Sequence, residues 1–291
     1  MRVGYYPGCS AHGMARSYDA STRAVFASLG VDLVEIPKWN CCGSTPAYAE
    51  SALLSACLSA RNLVLAEKAG LEQVMTPCAA CFSHLRAAKI YAEDQEGVRQ
   101  IEEVIGQTFN NRVQVRSSLD LLVNQVGLDA LANQIKRPLN GLRVVPYYGC
   151  LLTRPEKVAQ FDHPTNPSSL DRLLEVLGAE VAPWGAKTDC CGASYSITAP
   201  EVTYRLGGHI LSEAKTEGAE LIVSACPLCQ PNLELRQPQI ARASGQDFGL
   251  PVVYFTELVG LAMGMEPARS WLKKHLVSPI PTLVRHGLLA G

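Results

Sequence analysis

The stretch Asn40-Cys41-Cys42-Gly43 occurs a second time in this chain, as Asp189-Cys190-Cys191-Gly192. In each half a single cysteine precedes this stretch, and a C-x-x-C pair follows it. The matching cysteines, in chain order, are Cys9, Cys41, Cys42, Cys78 and Cys81 in the first half and Cys150, Cys190, Cys191, Cys226 and Cys229 in the second. They are separated by offsets of 141, 149, 149, 148 and 148 residues. This register indicates that the chain is a duplication of one five-cysteine unit.

The composition is typical of a globular protein of a reducing compartment. The chain has 291 residues, of which 47% are hydrophobic and 18% charged, and the duplication favours two domains of ordinary size. A net charge of −1 gives no reason to expect nucleic acid as a partner. No apolar run reaches the ~18 residues of a transmembrane segment, and no signal-peptide pattern begins the sequence. We therefore expect a cytoplasmic protein whose odd number of cysteines serves metal binding or redox chemistry.

Apolar patterns predict strand, cysteine and helix in turn along both halves. In the first half they predict strands at 2–6, 31–36, 73–76 and 112–115 and helices at 18–29, 50–69 and 82–94. In the second half they predict strands at 142–145, 180–182, 221–224 and 252–255 and helices at 169–177, 200–218 and 257–263. Such alternation predicts an α/β fold with two pseudo-symmetric Rossmann-like domains, at 1–140 and 141–265, each with a mainly parallel sheet.

The C-terminal tail, 266–291, lies outside the repeat. Trp271, Leu272 and Leu276 beside Lys273 and Lys274 predict a short amphipathic helix. An exposed apolar tail would serve as a docking segment for another subunit. Packing against its own domain, or disorder, is the alternative.

The repeated cysteines follow predicted strands, and the carboxyl ends of parallel strands are where such sheets bind ligands. Helix N-termini at that edge would favour thiolates and an anionic cluster. A tetrahedral zinc ion and a cubane iron–sulfur cluster each use four ligands and leave a fifth cysteine over, and a thioredoxin-like pair leaves three. Adjacent cysteines suit two irons of one cluster better than one ion. The spacing favours an iron–sulfur cluster, with zinc or thiol redox chemistry as alternatives.

The chain resembles the B-type subunits of heterodisulfide reductase, a family built from two cysteine-rich CCG domains. The resemblance extends almost from end to end. Its motifs, besides the two Cys-Cys-Gly stretches, are Gly4-Tyr5-Tyr6-Pro7-Gly8-Cys9, Pro77-Cys78-Ala79-Ala80-Cys81, Tyr148-Gly149-Cys150, Cys226-Pro227-Leu228-Cys229-Gln230 and Tyr254-Phe255-Thr256-Glu257-Leu258. No ferredoxin-like or flavin module is attached to them.

The resemblance implies that each unit binds a noncubane [4Fe–4S] cluster through all five of its cysteines. The implied ligands are Cys9, Cys41, Cys42, Cys78 and Cys81 for one cluster and Cys150, Cys190, Cys191, Cys226 and Cys229 for the other. In the family a disulfide lies between the two clusters, and each cluster delivers one electron and binds one sulfur. The resemblance implies two partners, a subunit with two cubane [4Fe–4S] clusters and a flavin subunit. It predicts the catalytic subunit of a complex that reduces, or reversibly forms, a disulfide.

Two histidines are candidate catalytic residues because His12 and His84 lie close to Cys9 and Cys81 in sequence. Either could donate a proton or a hydrogen bond at a cluster, and a solvated or capping role is the alternative. The rival function is that of an electron-transfer iron–sulfur subunit in a succinate-, lactate- or glycolate-oxidising complex. Those chains usually carry C-x-x-C-x-x-C runs, which this sequence lacks. A zinc-stabilised scaffold without a redox role is a third interpretation.

Overall fold

A computed structural model describes residues 1–44 and 46–290 of the chain. Its frame is a pair of four-stranded sheets in which all neighbouring strands run parallel. The strands are β1 (Arg2–Tyr5), β2 (Asp32–Glu35), β3 (Gln73–Thr76), β4 (Gln114–Ser117), β5 (Arg143–Tyr147), β6 (Glu180–Val181), β7 (Leu221–Ser224) and β8 (Val252–Tyr254). The first sheet has the order β2-β1-β3-β4 and the second the order β6-β5-β7-β8. The two orders are equivalent, as a duplication requires.

Helices follow the strands and cover the faces of both sheets. In the first half they are α1 (Gly8–His12), α2 (Arg16–Ser28), α3 (Pro46–Glu50), α4 (Ala52–Lys68), α5 (Ala79–Tyr91), α6 (Gln95–Ile105), α7 (Ser118–Asp120) and α8 (Leu128–Ala132), with a π-helical stretch at Leu121–Gly127. In the second half and the tail they are α9 (Glu156–Ala159), α10 (Ser169–Val176), α11 (Pro200–Thr216), α12 (Cys229–Glu234), α13 (Gln237–Ser244), α14 (Phe255–Ala262), α15 (Ala268–Leu272) and α16 (Ile280–Arg285).

The inner strands are apolar along most of their length because helices cover both faces of each sheet. All four residues of Leu221–Ser224 are buried, as are Val74 and Met75 in the corresponding strand of the first half. The sheets therefore form rigid supports whose carboxyl ends can hold loops in fixed positions.

The predicted fold class is confirmed: the chain is α/β, with two similar Rossmann-like units and parallel sheets. Element boundaries differ most where a helix starts immediately after a strand-ending loop. The helix predicted at 82–94 begins at Ala79, directly after Cys78, and the one predicted at 257–263 begins at Phe255. The strand predicted at 112–115 is found at Gln114–Ser117.

The described part of the tail folds back onto the chain, with α15 packed against α2 of the first half and α14 of the second. Trp271, Leu272 and Leu283 are buried, and His275 is enclosed between Glu234 and Glu257. The exposed Leu276 projects beside them. A docking role for this segment stays a prediction. Among the described residues, no helix has the length and apolarity needed to cross a lipid bilayer.

Candidate metal-cluster site

All ten cysteines of the repeat line one cavity, which lies where the carboxyl ends of the two sheets meet. This thiol cavity has a volume of about 310 Å³, and its other walls are small or apolar residues such as Ser10, Ala79, Ala193 and Leu228. No Lys, Arg, His, Asp or Glu side chain is found in its described lining. The duplicated thiols therefore converge on a single shared space and do not form two remote sites.

Local structure places these thiols in the same way in both halves. A tyrosine at the end of each first strand reaches the backbone just before the Cys-Cys pair: the Tyr6 hydroxyl donates to the Asn40 carbonyl, and the Tyr147 hydroxyl donates to the Asp189 carbonyl, each at 2.7 Å. Burial raises the pKa of both phenols, so they stay protonated and act as donors. Each tyrosine thus fixes its Cys-Cys loop to the sheet.

Glycine precedes the single cysteine of each half for a steric reason. Gly8 and Gly149 adopt φ values of +68° and +69°, which side chains rarely tolerate. A Cβ atom on either would lie 2.9 Å from a sulfur, that of Cys81 or of Cys229. These positions let the backbone approach the C-x-x-C thiols closely.

Most of the thiols lie near enough to another thiol to affect its protonation. These interactions run in series through Cys41, Cys42, Cys81, Cys78, Cys226, Cys229 and Cys191, and separately join Cys150 with Cys190. The Sγ atoms of Cys191 and Cys229 are 3.4 Å apart and form a hydrogen bond. The interaction between Cys78 and Cys226 crosses from the first half to the second. The two sets of thiols therefore face one another within the same cavity.

These interactions favour thiolates at particular positions. The neighbouring thiols of Cys41 and Cys81 lower the pKa of Cys42 to about 3, although burial opposes this. The neighbouring thiol of Cys150, with the backbone N–H of Gly192, lowers the pKa of Cys190 to about 6. Thiolate is the form that binds metal. The eleventh cysteine, Cys57, lies buried on α4, where burial raises its pKa, and it does not line the cavity.

The donor set fits iron–sulfur chemistry. Thiols are the metal-binding side chains in the described lining, with no imidazole or carboxylate among them, and thiolates select soft centres of this kind. Within the described parts of the chain, no three His, Cys, Asp or Glu side chains form a group that would hold a single metal ion. Five thiols from each half around one cavity provide enough ligands for one polynuclear group per half.

The two candidate histidines lie in different surroundings. His84 is half-buried, its Nδ1 lies 3.0 Å from Ser55 Oγ, and burial lowers its pKa while the Cys42 charge opposes the shift. His12 is exposed and faces outward, with Nε2 3.7 Å from Glu35 Oε1 and its ring against Trp39. Neither ring forms part of the described cavity lining, and His84 is near enough to Cys42 for the charge of that thiolate to affect its imidazole.

Asn232 is a site residue that the sequence reasoning missed. It occupies in the second half the position of His84 in the first, at an offset of 148 residues, and its Nδ2 donates to Cys191 Sγ at 3.8 Å. The same offset separates Cys81 from Cys229, so the sequence repeat already pairs Asn232 with His84. The repeat therefore places an imidazole beside one thiol set and an amide beside the other.

Comparison with known proteins agrees with this geometry. A family model described as the CCG cysteine-rich domain matches residues 3–86 and, a second time, residues 144–234. The chain belongs to the CCG family. Each matched segment of this CCG protein carries one five-cysteine set, so the internal duplication and the family repeat coincide.

Curated relatives match the CCG protein over nearly its whole length. A membrane anchor subunit of 8-methylmenaquinol:fumarate reductase from Wolinella succinogenes is 33% identical over 94% of this chain and 95% of its own. A protein like the heterodisulfide reductase B-type subunits, from Archaeoglobus profundus, is 28% identical over 92% and 93%. The B-type subunit of a CoB–CoM heterodisulfide reductase from Methanosarcina acetivorans is 26% identical over 98% and 96%. The resemblance to the heterodisulfide reductase B-type subunits is confirmed.

A crystal structure of a hypothetical protein from Helicobacter pylori shares the fold. It superposes with a TM-score of 0.76 at 11% identity over 95% of the CCG protein. The chain spans about half of that protein, 52% of its length. This likeness supports the α/β architecture alone.

Proposed function

We propose that this chain is the catalytic subunit of a heterodisulfide reductase-like complex, an oxidoreductase acting on disulfides and thiols. The observation that carries the proposal is the arrangement of the ten thiols, five from each half, around one cavity of about 310 Å³. Splitting a disulfide into two thiols takes two electrons and two protons. Two one-electron centres facing the same space suit that requirement.

Each five-thiol set would hold one noncubane [4Fe–4S] cluster. The ligands would be Cys9, Cys41, Cys42, Cys78 and Cys81 for one and Cys150, Cys190, Cys191, Cys226 and Cys229 for the other. When bound, each cluster would supply one electron to the substrate. The protein fixes the ligand loops through Tyr6 and Tyr147, and small residues such as Ala79 and Ala193 leave room for the substrate sulfurs.

Proton supply is the second requirement of the reaction. His84, held by Ser55 near Cys42, is the better placed of the two histidines to donate a proton or a hydrogen bond at the first set. His12 would act from the outer surface beside Glu35. The described lining holds no Lys, Arg, His, Asp or Glu side chain, so the charged ends of a substrate would find no ion-pair partner of these types inside the cavity and would lie outside it.

The proposal includes partners, because the clusters need an electron source. Relatives of the chain are named as subunits of heterodisulfide reductases. We expect a subunit with two cubane [4Fe–4S] clusters and a flavin subunit in the same complex.

Anaerobically purified protein tests this function. About eight iron and eight sulfide per chain are expected for two four-iron clusters. The reduced complex should release thiols from a candidate disulfide at a rate above that of a Cys226→Ser variant. Zinc without sulfide would refute the cluster assignment. Full clusters with no thiol release from any disulfide would refute the disulfide chemistry alone.

A second candidate is favoured by the 33% identity to a subunit of an 8-methylmenaquinol:fumarate reductase. In this alternative the same two clusters would pass electrons within a succinate- or fumarate-linked complex and would bind no disulfide. Cluster reduction by a quinol in the presence of that complex, without thiol release, would distinguish it from the first function.

A further inference from the structure

Three separate segments of the chain meet on one surface that combines apolar tips with positive charge. Met14, Leu235 and Leu276 are 72%, 39% and 71% exposed, and all three border the same depression of about 480 Å³. Arg16 and Lys274 border it as well. We call this surface, formed by residues 13–17, 230–236 and 274–276, the basic face.

The face also includes the carboxylate of Glu234, which is buried and paired with His275. The exposed cations of the face form no ion pair with a carboxylate in the described structure. Arg16 donates to the carbonyl of His12, and Arg236, in the adjoining depression, donates to Asn232 and to the carbonyl of Ser196. Lys274 forms no ion pair among the described residues. The chain as a whole carries a net charge of −1, so this local excess is a property of the face. It would attract an acidic partner.

The tail is held rigidly where it contributes to this face. The His275 ring lies between Glu234 and Glu257, at 3.0 and 2.8 Å, and its side chain is 2% exposed. Burial opposes the charged imidazolium, but the two carboxylates outweigh burial and raise the His275 pKa to about 10. The residues on either side of it, Lys274 and Leu276, are therefore presented in fixed positions. A preorganised surface loses little entropy on binding.

The basic face lies close to both thiol sets. Gln230, which follows Cys229 directly, and Tyr254 border the depression. The Tyr254 ring stacks on Tyr18, whose hydroxyl lies 3.4 Å from the carbonyl of Ala225, next to Cys226. Leu228 borders both the adjoining depression and the thiol cavity. The stacked rings of Tyr254 and Tyr18 thus lie between this surface and the thiols of Cys78 and Cys226, which both affect Tyr18 electrostatically.

We propose that the basic face is the docking surface for an electron-carrying iron–sulfur protein with an acidic rim around an apolar centre. The proposal rests on the function proposed above, since it requires clusters that are reduced one electron at a time. Each encounter would oxidise the carrier by one electron and reduce one cluster of this chain. Two encounters and two protons from solvent would balance the conversion of one disulfide to two thiols. Docking over the junction of both sets gives one carrier access to either.

The test uses the full chain with its clusters in place and a reduced, acidic two-[4Fe–4S] ferredoxin as the electron donor. Reduction of the chain is followed by stopped-flow absorbance over a range of salt concentrations. The test variant is Arg16→Glu/Lys274→Glu. The control is Lys68→Glu/Lys215→Glu, which changes the charge equally at the ends of α4 and α11, away from the cavity. Reduced methyl viologen reports whether each variant retains reducible clusters.

We expect the test variant to lose roughly tenfold or more in the ferredoxin rate at low salt, and the control to change little. Added salt should slow the reduction of the wild type by ferredoxin and leave the rate for the test variant almost unchanged. Equal rates in the two variants would overturn the docking surface. Binding of wild type, but not of the test variant, to phosphatidylglycerol vesicles, with unchanged ferredoxin rates, would assign the face to a membrane instead. Absence of clusters reducible by viologen would refute the underlying function, a separate outcome.

Discussion

The Tyr18 ring of the first half stacks on the Tyr254 ring of the second half, with centroids 4.2 Å apart and ring planes 4° from parallel. Next to this pair, Ser21 Oγ on α2 and Thr256 Oγ1 on α14 lie 2.6 Å apart. The halves are therefore joined by a buried aromatic and polar contact as well as by the thiols. This contact fixes the two sheet edges relative to one another.

Replacing each ring of the stacked pair tests this coupling. We expect the double change Tyr18→Leu/Tyr254→Leu to lower the free energy of unfolding by less than the two single changes added together. The difference should be about 0.5–1.5 kcal/mol, because either change alone already removes the stacking. Urea unfolding of the four proteins measures the difference. As a control, the exposed Val104→Ala change combined with Tyr18→Leu should lower the free energy of unfolding by the sum of the two single losses. If the two tyrosine changes were also additive, the halves would not be coupled through this pair.

Cluster content should respond to single ligand changes in one half only. Cys9→Ala or Cys150→Ala is expected to reduce iron and sulfide to about half of the wild-type value, because one five-thiol set remains whole. Cys57→Ala, a buried cysteine outside the cavity, should keep the full content. Wild-type iron and sulfide content in Cys150→Ala would show that Cys150 is not a cluster ligand.

The two tyrosine contacts to the Cys-Cys loops should differ in energy. Tyr147→Phe leaves the partly buried Asp189 carbonyl without its side-chain donor, which costs about 1–3 kcal/mol of unfolding free energy. Tyr6→Phe should cost less, because Asn62 Nδ2 still donates to the Asn40 carbonyl at 3.0 Å. Each variant should also lose iron to a chelator faster than the wild type. Tyr195→Phe, half-exposed and on a neighbouring loop, is the control. No effect of either change would show that the loops are held by other contacts.

An exchange of residues between the repeats tests the unequal surroundings of the two thiol sets. Hydrogen bonds to ligand sulfurs shift cluster potentials. We expect His84→Asn, and separately Asn232→His, to bring the two midpoint potentials closer together, since each change makes the sites alike. The double exchange should restore a difference. Potentials from titrations followed by electron paramagnetic resonance measure this, and an unchanged difference in both single variants would contradict it.

His275 links the tail to the second half in a pH-dependent way. His275→Gln leaves two buried carboxylates without their cation. It should lower the free energy of unfolding by about 3–5 kcal/mol at neutral pH or below. The folded pKa, about 10, lies above the unfolded value near 6.5. The His275 contribution is therefore complete below about pH 6.5 and declines as the pH rises to about 10. Unfolding free energies of wild type and variant should converge over that interval. A constant difference would rule out the ionic contact.

Local sequence patterns predicted most of the frame. The strands Gln73–Thr76 and Leu221–Ser224 lie where short apolar runs between glycine and cysteine placed them. The position of the repeated cysteines after predicted strands indicated that the thiols of each half gather at the carboxyl ends of its sheet, and all ten line the cavity. Duplication supplied this information, because each half repeats the order of the other.

Contacts between residues that are distant in sequence could not be predicted from local patterns. Glu234, Glu257 and His275 lie on three segments, and no short-range pattern marks them as partners. The basic face has the same origin, since Met14 and Leu276 are distant in sequence and meet only in the folded chain. The contacts of Tyr6 and Tyr147 with the Cys-Cys loops are of the same kind, because the sequence does not show which distant carbonyl a hydroxyl group reaches.

Cys78 and Cys226 occupy the same position in the two copies of the repeat, and their thiols interact across the shared cavity. In a symmetric dimer, a residue that faces its own counterpart lies at the two-fold axis. The pair therefore places a local dyad through the middle of the thiol cavity. A single ancestral unit, pairing with a second copy of itself, would already have enclosed the whole site, and gene fusion would then have freed each half to change independently, as His84 and Asn232 have.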